Sequence, residues 1–521
     1  MADTALPAAP ATVTPRRVFA FVGMVFGMFM AILDIQVVSA SLAEIQAGLS
    51  ASADEISWVQ TSYLIAEVVM IPLSGFLSRA LSTRWLFVIS SAGFTAASIL
   101  CATATSIEQM IVYRAIQGFI GGGMIPTVFA AAYSAFPRGR QSVVSPVIGL
   151  VATLAPTVGP TVGGYLTDLF SWHWLFLVNV VPGILVTVTT FLLVDFDEPD
   201  TALLRRFDWW GLAAMAGFLG SLQYVLEEGS RNDWFADHSI TLFAAVSVVS
   251  AVAFFWRAAT VPEPVVNLRA YANRNFAAGS ALSFAMGIGL YGLTYLYPVY
   301  LARVRGYSAL MIGETMFVTG VCMFLAAPLA GRLLARVDPR LMIAAGFIGF
   351  GLGTWDASRI TVEWDFWELF RPQVLRGVSL MICMAAITNL SLGTLAPAAL
   401  KNASGLFNLM RNLGGAVGLA LINTLLTERT DLHMARLREA VAWGHAKAEQ
   451  TLAALAAGLA DLGSDAQLAA LRQLAGMARR QATVMAFGDV FIALTVLFLA
   501  LVLAVPLMRR PPPLGAPPAR H

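Results

Sequence analysis

Apolar residues in this chain follow neither the alternation of a strand nor the one-sided stripe of a surface helix. They come in runs of about twenty, long enough to cross ~30 Å of hydrocarbon. The runs lie near 18–40, 57–77, 85–104, 108–132, 142–167, 174–194, 209–227, 239–257, 276–301, 309–334, 341–358, 373–398, 406–427 and 483–507, and predict fourteen membrane spans. Only the polar patch TATSIEQ at 103–109 parts the third span from the fourth. One connection is out of scale. In residues 428–481, between the last two spans, Leu452, Leu455, Leu459, Leu468, Leu471 and Leu474 recur at helical spacing on either side of Gly463 and Ser464. That pattern predicts an amphipathic helical hairpin.

Composition agrees with a polytopic membrane protein: 58% of the 521 residues are hydrophobic and 12% charged, with a mean hydropathy of +0.73. The net charge of +2 averages over loops on both sides of a bilayer, and no nucleic-acid footprint is present. Arginine and lysine in the short loops, from Arg16 and Arg17 through Arg79, Arg84, Arg205, Arg206, Arg332, Arg340 and Lys401 to Arg509, fall on the side of the N-terminus. Both termini are therefore expected in the cytoplasm. Cys101, Cys322 and Cys383 lie scattered in apolar runs and read as core residues, with neither a disulfide framework nor a metal site.

An internal repeat is legible. Pro72, Leu73, Gly75, Leu77 and Arg84 recur as Pro328, Leu329, Gly331, Leu333 and Arg340 at a constant offset of 256 residues. The second span thus matches the tenth, and YRAIQGF at 113–119 finds a fainter echo in LRGVSLM at 375–381. Two six-span halves around a midplane site are an architecture of secondary transporters. The expected organisation is an N-terminal segment 1–17, a first half 18–194, a linker 195–275 carrying an inserted pair of spans, a second half 276–507 that includes the 428–481 hairpin, and a tail 508–521.

Charges inside spans are costly and face a cavity or a partner. Asp34, Glu67, Arg114 and Glu314 are the candidates for proton coupling, and Arg411 lies in span 13. Desolvation favours the neutral form of a carboxyl and a nearby guanidinium the charged form, so an acid between the two is a gateable proton carrier. The alternative is a permanent ion pair that only pins the bundle. His173, His238, His433, His445 and His521 fall in loops or the tail and read as solvated. Tyr291, Tyr295 and Tyr297, with Met286, Met316 and Met323, are candidates for an apolar substrate cavity, the alternative being plain core. In span 5, LAPTVGPTVGGYL at 154–166 carries Gly159, Pro160, Gly163 and Gly164, a small-residue face for a closely approaching helix.

These stretches together resemble the fourteen-helix drug:proton antiporters of the major facilitator superfamily, and most closely EmrB-type permeases of tripartite efflux pumps. LDIQVVSASLAEIQ at 33–46 is similar to the first-span motif with its acid at Asp34. GFLSRALSTR, with Gly75, Arg79 and Arg84, is similar to the loop between spans 2 and 3. YRAIQGF, with Arg114, Gln117 and Gly118, matches the span 4 motif, GPTVGG the antiporter motif, and GLFNLMRNLGG, with Asn408, Arg411 and Gly415, the span 13 motif. Two departures stand out: Arg79 replaces the loop's usual acid and Ser82 its usual glycine, so the acid-mediated clamp between helix ends is not assured.

The resemblance implies an all-α major facilitator fold and a proton-coupled exporter of amphipathic toxic compounds in a bacterial cytoplasmic membrane. It needs no cofactor beyond the proton motive force. It also implies a periplasmic adaptor and an outer-membrane channel as partners, with the 428–481 hairpin placed to dock the adaptor. An exporter of one metabolite, such as a siderophore, lipid or aromatic acid, is the second reading. A membrane enzyme is the remote one, since no HExxH, GxSxG or clustered metal ligand occurs in the spans and the repeat argues for alternating access; the absence of a GxxxxGK[ST] motif removes direct ATP drive.

Overall fold

The structure is a computed structural model, which describes residues 14–52, 55–137, 141–440, 446–459, 461 and 465–509. The chain opens with α1 (Pro15–Ala40), the short α2 (Leu42–Leu49), α3 (Trp58–Leu81) and α4 (Thr83–Ala102). One span relaxed at Gly122 and Gly123 supplies α5 (Ile107–Gly121) and α6 (Met124–Ala135); α7 (Gln141–Leu169) follows, then α8 (Trp174–Leu177) and α9 (Val180–Leu193). After them come α10 (Trp209–Glu228), α11 (His238–Thr260), α12 (Arg274–Tyr300), α13 (Ala309–Arg336), α14 (Pro339–Ala357) and α15 (Phe366–Leu392). The chain closes on α16 (Pro397–Ala440), α17 (Ala446–Gly458) and α18 (Ala466–Val502).

Helices fall at all fourteen expected span positions, and no strand occurs among the described residues. Among the described residues eleven are long and apolar enough to cross a membrane, and α7 makes a twelfth, bent by 42° between Pro146–Pro156 and Val158–Leu169. Prolines 156 and 160 supply the bend by removing backbone donors. The helices α10 and α14 fall short of that test: one ends in Glu227 and Glu228, and the other carries Arg340, Asp356 and four glycines. The polar patch at 103–109 does divide two helices, with Ser106 capping α5 by accepting from Gln109 N.

The stretch 428–481 agrees with expectation in part. Two helical arms are present among the described residues, α17 packing on α18, but they are not separate from the spans: α16 continues unbroken to Ala440, and α18 begins at Ala466 and runs on into the last span. Residues 428–440 contain neither glycine nor proline and are rich in strong helix formers, so nothing stops α16 there. Gly463 and Ser464 lie outside the described residues. His433 is buried on this extension instead of being solvated, with its Nε2 2.9 Å from Asp489 Oδ2 of α18.

Glycines set the closest approaches. A Cβ on Gly159 would lie 2.3 Å from Gln36 Cβ, and one on Gly163 2.9 Å from Val37 O, which seats α7 directly on α1. A Cβ on Gly118 would meet Tyr63 O at 2.3 Å, and one on Gly377 would meet Thr319 O at 2.7 Å. Tyr63 and Thr319 are separated by the same 256 residues as the sequence repeat. Between the first six spans and the last six, α3 packs on α16 and α7 on α13.

Ser82 holds φ 80°, ψ 159°, a region almost reserved for glycine. It occupies the position where the superfamily loop has glycine. Its hydroxyl accepts from Trp85 N at 3.4 Å, a weak N-cap for α4. Strain outweighs that cap, so Ser82→Gly should stabilise the protein by about 1 kcal/mol, read as a higher melting temperature in detergent. A lower melting temperature would mean that the cap dominates.

Candidate functional site

Two neighbouring features make up the site, a buried polar cluster and a cavity. The cluster centres on Asp34 of α1 and Arg114 of α5, 2% and 0% exposed. Arg114 Nη1 donates to Asp34 Oδ2 and to Gln117 Oε1, both at 2.6 Å, and its Nε donates to Val59 O at 3.2 Å. The other carboxylate oxygen of Asp34 accepts from Asn179 Nδ2 at 2.7 Å and from Gln117 Nε2 at 3.3 Å. Gln117 also donates to Ser98 Oγ at 2.8 Å, and the guanidinium lies 4.2 Å from the centre of the Tyr63 ring. The spacing of Arg114 and Gln117 puts both on one face of α5. Residues of α1, α3, α4, α5 and the α8–α9 junction thus fix one carboxylate.

The cavity, of about 430 Å³, lies beside this cluster. Its walls are the last turns of α1 (Gln36, Ser39), the first half of α3 (Gln60, Glu67), the last turns of α10 (Gln223, Glu227), α12 (Tyr291, Tyr295) and α16 (Asn412, Gly415), with Pro160 of α7. All of these lie toward the end of the bundle opposite Pro15. Glu67 is 2% exposed, and its Oε1 has no hydrogen-bond partner. Gly122 presses on it from α5, since a Cβ there would lie 3.1 Å from Glu67 Cγ.

At the N-terminal end the halves are shut. A Cβ on Gly75 would lie 2.9 Å from Asn402 Cα, and one on Gly405 3.0 Å from Ile71 O. Lys401 Nζ donates to Ser78 O at 2.8 Å and pairs with Asp197, whose carboxylate also accepts from Thr83 N at 3.1 Å. The clamp missing from the loop motif is therefore present with its acid on another segment. Arg79 and Arg84 take no part in it; they lie 5.7 Å and 4.8 Å from the Phe76 and Phe191 ring centres.

Glu314 is exposed on α13 and lines no part of the cavity, so the structure separates it from the other acids. Arg411 is 3% exposed and lies over Phe129 and Phe407, at 5.0 and 5.3 Å, and Asn408 donates to Ser404 O within its own helix. Gly415 makes room for the Tyr291 ring, 2.3 Å from where its Cβ would be. Gly163 and Gly164 are buried, as are Met286, Met316 and Met323, which belong to the core. Tyr297 stands away from the cavity against Phe491 and Arg376. Arg376 repeats the setting of Arg114 without its acid: it is 1% exposed and donates to Thr294 Oγ1 of α12 at 2.6 Å.

The sequence reading missed Asn179, Ser98, Asp197 and Glu227. Small polar residues inside apolar runs give no signal of convergence. Glu227 and Glu228 read as the edge of a span, and Lys401 only as a marker of topology.

The sequence profile described as Major Facilitator Superfamily matches residues 24–419. The chain belongs to that superfamily. It is 41% identical over 477 residues to the colistin resistance protein EmrB of Acinetobacter baumannii, covering 92% of this chain and 93% of that one. It is 30% identical over 415 residues to the multidrug export protein EmrB of Escherichia coli, covering 79% and 81%, and 29% identical to the fatty acid resistance protein FarB of Neisseria gonorrhoeae, covering 93% and 94%. Among solved structures, the human organic anion transporter MFSD10 aligns with a TM-score of 0.57 at 13% identity, covering 93% of this chain and all of that one. A bacterial homologue of the lysosomal transporter Spinster, inward-facing and unoccupied, aligns at 0.53 and 15%, covering 95% and 98%; at these identities the likeness concerns the fold. The protein is an EmrB-type permease, a transporter and not an enzyme.

A buried carboxylate stripped of its guanidinium is costly, whereas removing both partners leaves only neutral groups. Arg114→Gln should destabilise the permease by about 3 kcal/mol, and adding Asp34→Asn should restore part of the loss. Thermal unfolding in detergent checks this; a double variant worse than the sum of the singles would contradict the pairing.

Proposed function

We propose that this permease exports amphipathic small molecules across a bacterial cytoplasmic membrane in exchange for protons, by alternating access. The observation that carries this reading is Glu67, an acid buried in the cavity wall with one oxygen unpartnered, next to a carboxylate already neutralised by Arg114. A group that is buried, unpaired and in reach of the cavity is the one that gains from a proton when the cavity is empty. Asp34, Arg114 and Gln117 then sense that change through Tyr63, one turn away from Glu67 on α3. With both termini cytoplasmic, the closed end at Lys401 and Asp197 is the inner gate and the cavity is poised toward the outside. A cavity of about 430 Å³ accepts one drug-sized molecule. One proton moving through ~100 mV supplies about 2.3 kcal/mol, enough for a gradient of some tens-fold without a further cofactor.

In cells loaded with a fluorescent amphiphile, Glu67→Gln should lose proton-driven efflux while the protein remains folded and membrane-inserted, and Asp34→Asn should slow it at least roughly tenfold. Efflux at the wild-type rate and pH dependence in both variants would refute the assignment.

The extended ends of α16 and α18, with α17, are proposed to meet a periplasmic adaptor that hands substrate to an outer-membrane channel. The thirteen residues 428–440 carry α16 some 20 Å further at 1.5 Å per residue. Replacing 436–475 by a short Gly/Ser linker should leave substrate binding intact and abolish resistance in a host that needs the whole assembly. Full resistance and continued co-purification with the adaptor would leave the extension a self-packing element only.

A further inference from the structure

The cavity has a consistent chemical sign. Glu67 and Glu227 both line it, and Gln60 Oε1 and Glu67 Oε1 are acceptors with no donor. Gln60 and Glu67 are seven residues apart on α3, so they share one face. The tyrosine hydroxyls are already engaged, Tyr291 with Asn412 Oδ1 at 3.2 Å and Tyr295 with Asn423 Oδ1 at 2.6 Å, which leaves their rings as the remaining contact surface. No lysine, arginine or histidine lines the cavity among the described residues. Arg411 is adjacent in sequence to Asn412, but its guanidinium is turned onto Phe129 and Phe407.

Glu227 comes from α10, the first helix of the pair between the two halves. Asp208 caps the start of α10 by accepting from Gly211 N and holds α11 through Arg257 Nε at 2.6 Å. At the other end Thr61 Oγ1 of α3 donates to Glu228 Oε1 at 3.1 Å, which fixes the last turn, and Gln223 Nε2 donates to Glu227 Oε1 at 2.9 Å. The helix is thereby anchored on α3 through Glu228, with Glu227 toward the cavity.

We infer that the cavity is a binding site for organic cations, in which Glu227 of the inserted helix α10 supplies a second negative charge beside Glu67 and so sets the charge preference of the transporter. The inference rests on the exporter reading for what the cavity is used for, and adds the class of molecule it takes. A cation with an apolar body satisfies the unpartnered acceptors and places its positive charge over the tyrosine rings. An anion of the same shape finds no cation to pair with.

Equilibrium binding to the purified full-length permease in detergent tests this with two ions of matched shape, tetraphenylphosphonium and tetraphenylborate, each corrected for binding to the Glu67→Gln/Glu227→Gln double variant. The wild type should prefer the phosphonium by at least about tenfold. Glu227→Gln should lose most of that preference with borate binding unchanged or tighter, and Glu227→Asp should retain it. Equal wild-type affinity for the two ions overturns the inference whether or not the variants fold, as does an unchanged preference in a folded Glu227→Gln. A permease that binds both ions equally yet exports amphiphiles against a proton gradient overturns this inference and leaves the exporter reading standing. One that prefers the phosphonium but couples no transport to protons keeps the site and overturns the exporter reading.

Discussion

The ion pair between Asp34 and Arg114 is the constraint around which the first half of this permease is built. Neither side chain has measurable exposure, and the pair is closed at 2.6 Å. Moving two charges out of water is repaid only when the remaining lone pairs and protons find partners, and here α1, α3, α4, α5 and the α8–α9 junction all provide them. That requirement fixes how these helices rotate about their axes. It also determines which carboxylate stays free to change state. Asp34 has its partner; Glu67, one turn beyond the Tyr63 ring that covers Arg114, does not.

The packing around this pair divides into contacts that hold and contacts that can part. Within the first half, glycine approaches such as Gly159 on Gln36 and Gly118 on Tyr63 bring backbones so close that no side chain fits between them. Between the halves, the N-terminal end depends on Gly75, Gly405 and one salt bridge of Lys401 with Asp197, whose side chains are 17% and 11% exposed. A partly hydrated pair of this kind is weaker than a dry one. It suits a gate, which must open at modest cost. The second half contains a buried arginine of similar setting, Arg376, bonded to a threonine hydroxyl where Arg114 has an acid. The second-half arginine thus has no titratable partner in its hydrogen bonds, and the proposed proton exchange belongs to the first half.

Much of this was legible in the chain, and the part that was not has a physical reason. Span positions and the Asp34, Arg114 and Gln117 constellation could be read because a charge in an apolar run has few structural explanations. The glycine face of span 5 could be read because small residues at that spacing imply a neighbour. Glu227 could not, because an acid in the last turn of a span is ordinarily at the interface, and only the seating of α10 on α3 reveals that it faces inward. Asp197 stands among Asp195, Glu198 and Asp200, and nothing in the local sequence marks it out. The acid expected at Arg79 was absent and its replacement came from another segment, a substitution in space that leaves no trace in the local motif. The continuation of α16 and α18 past the spans was concealed by the change in polarity near residue 428, which marks where the lipid ends and not where the helix does.

Exchange of substrate for a proton at Glu67 is the step on which the proposed transport cycle depends. Vesicles containing the purified permease, a pH-sensitive dye inside and an ethidium gradient across the membrane read that exchange directly. Ethidium flux should move protons the opposite way in the wild type, and Glu67→Gln should abolish this coupled pH change. Ethidium flux with no accompanying proton movement, or an undiminished pH change in Glu67→Gln, would contradict the proposed cycle.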